Sequence, residues 1–314
     1  MKGFISPTLH PLKSLLLFIV FVVAGQAVGS FLAMLLIKLI WGYGPTAISG
    51  MLARPADYPD SRSALVLFQG VVHLVGFTIA SLAFLRVVTQ RPAQFLSRRL
   101  TVPMSLLLGS AVLFLVILPA ASWLVHWNAN VDFPAFLEAF ERWAREKEDL
   151  LRELTLELTK INTIPQLVLG MVVFAVLPAI GEELAFRGIV QQELQRWWKN
   201  PHVAIWVAAI IFGAIHMQFY GVVPRIMLGV LFGYLYWWSG NIWVPIVGHF
   251  INNGFMVLMM FLAQRNAVTV NVESTEPESL TLSLVSLVLS AGILYSLYTV
   301  SRRLPFPAEE NPRF

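Results

Sequence analysis

Residues 164–187 read IPQLVLGMVVFAVLPAIGEELAFR, an apolar stretch that ends in two adjacent carboxylates and an arginine. A helix needs about 17–25 apolar residues to cross the hydrocarbon core of a bilayer, so this stretch is long enough to span it. Glu182 and Glu183 then lie at membrane depth, where a charged side chain costs several kcal/mol. Carboxylates retained at that cost mark, by default, a reaction centre or an ion path.

The composition of the whole chain is that of a polytopic membrane protein. Of its 314 residues, 57% are hydrophobic and 13% are charged, whereas roughly a quarter are charged in soluble domains. We therefore predict an all-α fold, a polytopic membrane helix bundle with about eight transmembrane helices plus one amphipathic interfacial helix. The sixth predicted span is short enough for a tilted or partial crossing. The predicted spans are 14–37, 63–85, 104–125, 164–187, 202–219, 225–238, 242–262 and 279–300.

Four regions follow from the order of these spans. Residues 1–131 hold the first three transmembrane helices, and residues 132–162 form an amphipathic helix outside the membrane. Residues 163–265 carry helices four to seven with the clustered polar residues, and residues 266–314 hold the last helix and a tail. In the amphipathic segment, apolar residues recur at helical spacing among acids and bases. We interpret it as a connector that packs on the bundle, in preference to a lid that gates substrate.

Charge and cysteine content exclude several classes of function. The net charge is +4, yet the basic residues are grouped by loop, as in the groups that contain Arg98, Arg196 and Arg302. This grouping follows the positive-inside rule and predicts an integral membrane protein with both termini in the cytoplasm. The compact loops favour a bacterial plasma membrane. No basic stripe is interleaved with aromatic residues, so we predict no nucleic-acid partner. The absence of cysteine excludes disulfides, thiolate catalysis and cysteine-ligated zinc.

The first polar set is the carboxylate pair with Arg187. Glu183 and Arg187 are four residues apart, so they share a helix face and are expected to form an ion pair. Glu182 is turned about 100° away and lacks that partner, which suits a general base. Pro178 is expected to kink the helix beside the site. The alternative is an ion pair that only locks two helices together.

Two further polar sets lie in the fifth and seventh predicted spans. Phe212 and His216 are four residues apart, as are His249 and Asn253, so each pair projects from one helix face. With the glutamates they could assemble a site that activates water, in which Asn253 and a histidine donate to a developing oxyanion. His73, in the second span, has no ionisable neighbour in sequence, and we predict no function for it.

These three sets resemble the motifs of the CPBP intramembrane endopeptidases. That family includes the CAAX prenyl-protein processing enzymes and relatives linked to bacteriocin processing and self-immunity. Its motifs are EExxxR, FxxxH and HxxxN/B, and all three are present in order within roughly residues 164–265. They stand here as Glu182-Glu183-Leu184-Ala185-Phe186-Arg187, Phe212-Gly213-Ala214-Ile215-His216 and His249-Phe250-Ile251-Asn252-Asn253.

The resemblance implies a hydrolytic site in the membrane. Glu182 would be the general base and would polarise water with His216, while His249 and Asn253 would stabilise the tetrahedral intermediate. The reaction would proceed without a covalent acyl-enzyme. The implied partners are the lipid bilayer and a peptide or membrane-protein substrate. The supporting residues would be Glu183, Arg187 and Phe212.

These residues leave the participation of a metal ion open. Two histidines and one carboxylate match the ligand count of a catalytic zinc, so a divalent ion, if present, would be held by Glu182, His216 and His249. We favour hydrolysis without a metal or another cofactor. One point of geometry is unfavourable, because straight antiparallel fourth and fifth helices would place Glu182 and His216 about 15 Å apart. A kink at Pro178, a helix tilt or a fifth helix that does not fully span would bring them together.

Two other classes of function compete with hydrolysis. A proton-coupled transporter would use the glutamates and histidines as a relay, but it needs such groups along a path through both leaflets. A non-catalytic scaffold or immunity factor would keep the fold and bind a transmembrane partner. The scaffold alone predicts that replacement of Glu182 leaves function intact.

Overall fold

The computed structural model describes residues 9–89, 92–269 and 274–305, and within these ranges all regular structure is helical. Short 3₁₀ turns at Pro55–Asp57, Ala135–Leu137 and Phe219–Gly221 precede the helices that begin at Ser61, Glu138 and Val222. The helices are α1 (Pro11–Trp41), α2 (Pro45–Ala53), α3 (Ser61–Val88), α4 (Pro92–Leu96), α5 (Met104–Val116), α6 (Leu118–Ala129), α7 (Glu138–Leu158), α8 (Ile164–Trp198), α9 (Pro201–Ala214), α10 (Val222–Ser239), α11 (Trp243–Gln264) and α12 (Leu280–Arg303).

Half of the twelve described helices are long and apolar enough to cross a membrane. Within the described part of the chain, six qualify by length and hydropathy: α1, α3, α8, α10 with its preceding turn, α11 and α12. The pair α5 and α6 gives a seventh span if it is counted as one, with a bend of 49° between its halves. Pro119 lies in the first turn after the bend, where it cannot donate a backbone hydrogen bond to Leu115. These helices confirm the prediction of a polytopic all-α bundle.

The fifth predicted span, rather than the sixth, is the short one. α9 has 14 residues, which gives a rise of about 21 Å, shorter than a hydrocarbon core of about 30 Å. α10 and its preceding turn run from Phe219 to Ser239 and are long enough to span, so the prediction of a short sixth span is wrong. After α9 the chain passes Met217, whose φ of 53° is in the left-handed region. The chain therefore reverses before it has completed a crossing.

The amphipathic segment is a helix that is shorter than predicted. α7 begins at Glu138 rather than near residue 132, because a proline and a 3₁₀ turn precede it. At one end the rings of Phe140 and Trp143 lie 5.1 and 5.4 Å from the ring of Phe219. At the other end Leu158 packs on an apolar cluster formed by α1, α2 and α3. α7 is thus attached to the bundle at both ends, as a packed connector would be.

The predicted cytoplasmic loops meet at one end of the bundle. Arg99 donates to the carbonyl oxygens of Ser239 at 2.9 Å and Leu304 at 3.0 Å, which lie at the ends of α10 and α12. Arg196, near the end of α8, donates to the carbonyl oxygen of Leu9 at 2.5 Å. An arginine at a helix C-terminus satisfies the last carbonyl groups and interacts favourably with the helix dipole. The basic residues therefore connect the chain segments at this end through hydrogen bonds, in addition to predicting which end is cytoplasmic.

Three π-helical stretches interrupt the long described helices. α3 contains one at Leu74–Ile79, and α8 contains two, at Met171–Val176 and Phe186–Val190. The wider hydrogen bonds of a π-helix add a residue to the turn, and such stretches are frequent at functional sites. The stretch in α3 directly follows His73, and the two in α8 flank the carboxylate pair.

Candidate functional site

A buried ion pair lies at the centre of the clustered polar residues. Arg187 Nη1 donates to Glu183 Oε1 at 2.9 Å, and Arg187 Nη2 donates to the carbonyl oxygen of Gly229 on α10 at 2.9 Å. The Arg187 and Glu183 side chains are 1% and 0% exposed. The guanidinium also lies 4.9 Å from the ring of Phe212 and 5.2 Å from that of Phe232. The predicted ion pair is confirmed, and it joins α8 to α9 and α10.

His249 completes this buried frame from α11. Its Nδ1 lies 2.9 Å from Glu183 Oε1. Because Arg187 holds Glu183 as a carboxylate, which can only accept, we assign the proton of a neutral His249 ring to Nδ1. The ring stacks on Phe232 with 4.8 Å between centroids, which fixes its plane. Nε2 therefore faces Glu182 and lies 3.9 Å from its Oε2.

Glu182 has a more open environment than its neighbour. Its side chain is 12% exposed, and its Oε1 lies 3.2 Å from Nε2 of His73 on α3. Sequence reasoning missed this contact because 109 residues separate the two side chains. The interpretation of His73 as a histidine without an ionisable neighbour is wrong in three dimensions. Its position, as an ionisable residue inside an apolar span, was the signal that could have found it.

Close packing of α3 on α8 makes the contact between His73 and Glu182. A Cβ at Gly181 would lie 2.8 Å from Thr78 Oγ1 and 3.0 Å from His73 Cε1. Only glycine permits such an approach without a shift of one helix. The His73 ring also stacks on Phe77, with 4.9 Å between centroids. The glycine therefore sets the distance between the helices, and the phenylalanine orients the imidazole.

α8 and α9 run antiparallel in a register that places Glu182 level with His216. The rings of Phe186 and Phe212 contact each other with 5.2 Å between centroids. Glu182 precedes Phe186 by one turn and His216 follows Phe212 by one turn, so both lie on the same side of that contact. The expected separation of about 15 Å assumed that the fourth helix ends near residue 187. That separation is not expected in the structure, because α8 continues to residue 198 and α9 is short.

His216 has one fixed ring nitrogen and one available ring nitrogen. Nδ1 lies 2.7 Å from the carbonyl oxygen of Phe212, which can only accept, so Nδ1 carries the proton of the neutral ring. Nε2 then has a lone pair that can hold or orient a water molecule. Glu182 and His249 both lie within electrostatic range of this ring.

Asn253 lies one turn beyond His249 on α11 and contacts α8. Its Nδ2 donates to the carbonyl oxygen of Phe174 at 3.2 Å, and its Oδ1 accepts from Asn252 at 3.0 Å. Pro178 explains the first bond, since it has no N–H for the Phe174 carbonyl four residues back. One amide hydrogen of Asn253 remains for another acceptor. Among the described contacts, none joins Asn253 directly to the carboxylate pair.

The predicted zinc ligands are not arranged around one ion. Within residues 9–89, 92–269 and 274–305, no group of three His, Cys, Asp or Glu side chains is placed to hold a metal. His73 occupies Oε1 of Glu182, and Glu183 occupies Nδ1 of His249. Two ligands of a tetrahedral zinc at about 2.1 Å would lie about 3.4 Å apart, against the 3.9 Å between Glu182 Oε2 and His249 Nε2. Since the set including His216 does not fit, no catalytic step is derived through a metal.

A cavity of about 340 Å³ opens beside Asn253. α3, α7, α8, α10 and α11 all contribute to its walls, and α7 covers one side. Gln69 and Arg225 supply polar groups, whereas Met256 and Met260 supply flexible apolar surface. A mostly apolar pocket with a few converging polar groups is a usual form of ligand site.

A family model covers the helices that carry these residues. The model, described as type II CAAX prenyl endopeptidase Rce1-like, matches residues 164–255. That range runs from the start of α8 into α11 and contains all three motifs. No solved structure matches the chain.

Three curated bacterial proteins are similar to part of the chain. The uncharacterized protein YpbD of Bacillus subtilis is 29% identical over 119 residues, which are 35% of this chain and 58% of that protein. A Bacillus subtilis protein with the name membrane peptidase YdiL is 30% identical over 106 residues, or 34% and 43% of the two chains. The membrane-embedded CAAX protease MroQ of Staphylococcus aureus is 31% identical over 86 residues, or 26% and 35%. The chain spans less than two thirds of the length of each relative.

The motifs and the family model point to the same helices. The motif residues of α8, α9 and α11 meet around one buried cluster, and the family model begins and ends within those helices. The apolar helices make the chain an integral membrane protein. The family model over residues 164–255 and the names of two of these relatives support a CPBP family assignment.

Proposed function

We propose that the chain is an intramembrane endopeptidase that hydrolyses peptide bonds of membrane-associated or lipidated substrates with a water molecule activated by Glu182. The observation that carries the proposal is the position of this carboxylate between two histidines. Oε1 is hydrogen-bonded to His73 at 3.2 Å, and Oε2 has no direct hydrogen bond among the described residues. Oε2 is therefore the oxygen available to take a proton, the task of a general base.

The proposed proton transfers balance without an enzyme-bound intermediate. The water oxygen attacks the carbonyl carbon of the scissile bond, a C–O bond forms, and Glu182 takes the released proton. Glu182 then gives this proton to the leaving nitrogen as the C–N bond breaks, which yields a carboxylic acid and an amine. His216, level with Glu182, orients the attacking water through its available Nε2.

The charge that develops on the carbonyl oxygen needs hydrogen-bond donors. Asn253 has one amide hydrogen left after its bond to Phe174, and His249 donates from Nε2 when both of its ring nitrogens carry protons. Glu183 and Arg187 hold the His249 ring in place from the buried side. Preorganised donors of this kind are usually the largest single contribution to acyl-transfer catalysis.

The cavity beside Asn253 is the proposed approach for the substrate. Its volume of about 340 Å³ and its methionine surface suit a short extended peptide segment. We place the protein in a bacterial plasma membrane with both termini in the cytoplasm, because Arg99 and Arg196 lie at one end of the bundle. The termini themselves, residues 1–8 and 306–314, lie outside the described residues.

The test compares protein termini in host membranes that express wild type, Glu182→Gln or Glu138→Gln at equal levels. Glutamine keeps the size of residue 182 but removes the base, and Glu138 is an exposed glutamate at the start of α7 that serves as a matched control. Quantitative mass spectrometry should find new termini with wild type and the control. With Glu182→Gln they should fall about 10²- to 10⁴-fold, the usual contribution of a general base.

The alternative functions predict other outcomes of the same comparison. Identical termini in all three membranes, with folded and abundant protein, would contradict the protease. A scaffold would also keep its partner after Glu182→Gln, as measured by co-purification. A transporter would show proton-coupled uptake into vesicles that the substitution abolishes.

A further inference from the structure

We infer that His73 is a positioning residue for the proposed hydrolysis, and that its Nε2–H holds Oε1 of Glu182 so that Oε2 faces the attacking water. The inference rests on the proposed function, because it assigns a task within the same site. It also extends the site beyond residues 164–255, since His73 lies on α3 in the amino-terminal half of the chain. The residue acts through Glu182 and is not itself proposed to touch the substrate.

The contact lies at the long end of the range for an N–H···O hydrogen bond, and its acceptor is a carboxylate. His73 Nε2 and Glu182 Oε1 are 3.2 Å apart, and the two side chains are 13% and 12% exposed. A carboxylate can only accept, so Nε2 of His73 must carry the proton. Hydrogen bonds to an ionised group are roughly twice as strong as neutral ones, which gives this contact the strength to orient a side chain.

The other nitrogen of the His73 ring argues against a purely packing role. Nδ1 is buried and has no hydrogen-bond partner in the described part of the chain. A buried, unsatisfied acceptor destabilises the folded state, so an apolar residue of similar size would pack at lower cost. A histidine at this position therefore needs a compensating interaction, and the bond from Nε2 to Glu182 supplies it.

The surroundings hold the ring in the orientation that this bond requires. Phe77 stacks on the ring with an interplanar angle of 25°. Gly181, directly before Glu182, leaves room for His73 Cε1 at 3.0 Å from where a Cβ would stand. Two helices are thus brought together at the residue next to the carboxylate.

The two carboxylate oxygens of Glu182 then have different roles. His73 binds Oε1, and the other oxygen points towards His249, 3.9 Å from its Nε2. Without His73 the carboxylate is free to rotate about its last bond and to exchange the two oxygens. The loss should therefore appear in the chemical step rather than in substrate binding.

The test uses three substitutions that separate the donor from the ring. The amide nitrogen of glutamine reaches about as far from Cα as Nε2 of histidine, whereas that of asparagine reaches only as far as Nδ1. His73→Gln therefore keeps a donor near Glu182, His73→Asn moves it away, and His73→Leu removes it. His202→Gln is the matched control, since His202 bonds Tyr234 at the start of α9, away from this cluster.

Each purified full-length variant is assayed in proteoliposomes with a quenched-fluorescence peptide. The peptide carries the cleavage sequence found by comparing termini from wild type and Glu182→Gln. We expect His73→Asn and His73→Leu to lower kcat about 10- to 100-fold with KM within about twofold. His73→Gln should retain most of kcat, and the control should match wild type. Thermal unfolding of every variant separates a loss of folding from a loss of rate.

The outcomes distinguish failure of this inference from failure of the proposed function. Wild-type kcat in a folded His73→Leu variant, or equal losses in His73→Gln and His73→Leu, would overturn the positioning role while the protease stands. An increase in KM alone would also overturn it, because it would place His73 in substrate binding. If wild type produces no termini of its own, the proposed function fails, and the positioning role fails with it.

Discussion

Glu182 and Glu183 are consecutive residues, yet they lie in two different regions of the site. Around Glu183 every neighbour is fixed: Arg187 and His249 both lie 2.9 Å from its Oε1, and the side chain is fully buried. Around Glu182 the contacts are longer, at 3.2 Å to His73 and 3.9 Å to His249, and the side chain is partly exposed.

The difference shows how a helix can build a frame and a reactive group from adjacent residues. Successive side chains on an α-helix are turned about 100° apart, so one carboxylate faces the aromatic interior and the other faces α3. The frame needs a cation because a fully buried charge is costly without one. The second carboxylate needs to remain open for a proton, and its direct polar contacts among the described residues are with His73 and His249.

The largest expected effect tests the frame. Arg187→Met should lower the free energy of unfolding by about 3–5 kcal/mol, because it leaves Glu183 as a buried charge without its partner. Glu182→Gln should change stability far less while it abolishes hydrolysis. Unfolding in mixed micelles with increasing SDS measures both. Similar losses of stability in the two variants would contradict the distinction between the Glu183–Arg187 frame and the reactive Glu182.

The contact of α3 with α8 should show the next largest effect. Gly181→Ala places a methyl group 2.8 Å from Thr78 Oγ1 and should cost about 1–3 kcal/mol through overpacking. Because the side chains of Thr78 and His73 must shift, kcat should fall as we expect for His73→Leu. Gly292→Ala on α12 is the control, since a Cβ there meets no atom within 4 Å. Full activity in a stable Gly181→Ala variant would show that Glu182 does not depend on this approach.

A smaller effect is expected where Asn253 satisfies the backbone of α8. Asn253→Ala leaves the Phe174 carbonyl without its donor and should cost about 1 kcal/mol. Pro178→Ala should relieve this cost, since alanine offers an N–H to the same carbonyl. A double-mutant cycle by SDS unfolding measures the coupling. If the stability changes of the two single variants simply add, Asn253 does not replace the backbone donor that Pro178 lacks. Activity should not return in the double variant, because the proposed oxyanion donor is still missing.

The smallest effect concerns a carboxylate outside the membrane. Burial raises the pKa of Glu148 on α7, while the N–H groups of Tyr220 and Phe219 and the charge of Arg225 oppose the rise. A raised pKa means that the contribution to stability is present below the ordinary value and is lost as pH rises through the raised value. Wild type should therefore lose stability relative to Glu148→Gln as pH rises from about 4 towards neutrality.

The expected size of this change is below about 0.5 kcal/mol, since the Glu148 side chain is only partly buried and is screened by water. Melting temperatures of both proteins, measured across that pH range in one detergent, would detect it. Parallel curves for the two proteins would contradict the assigned direction. Glu148 is a reference for the comparison of Glu182 with Glu183. It is partly buried, but it has neither the arginine contact of Glu183 nor the histidine contacts of Glu182.

Residue spacing along the chain predicted much of this site, whereas contacts between distant residues could not be predicted from it. The pair Glu183 and Arg187 was predictable because four residues make one helical turn. His73 was missed because nothing along the chain reports a partner 109 residues away. The depth of His216 was misjudged because the end of α8 is polar. Residues 191–198 continue the helix although their composition resembles a loop.

The π-helical stretches have a consequence for the evolution of the site. Each holds one residue more than an α-helical turn requires. Deletion of a single residue from Met171–Val176 would let α8 close as a regular α-helix, with nearly the same length and hydropathy. The wide turn accommodates its extra residue locally, so the side chains beyond that point would keep nearly the same directions. In an alignment of relatives, a one-residue gap at such a stretch is therefore consistent with an unchanged position for the residue that stands where Glu182 stands here.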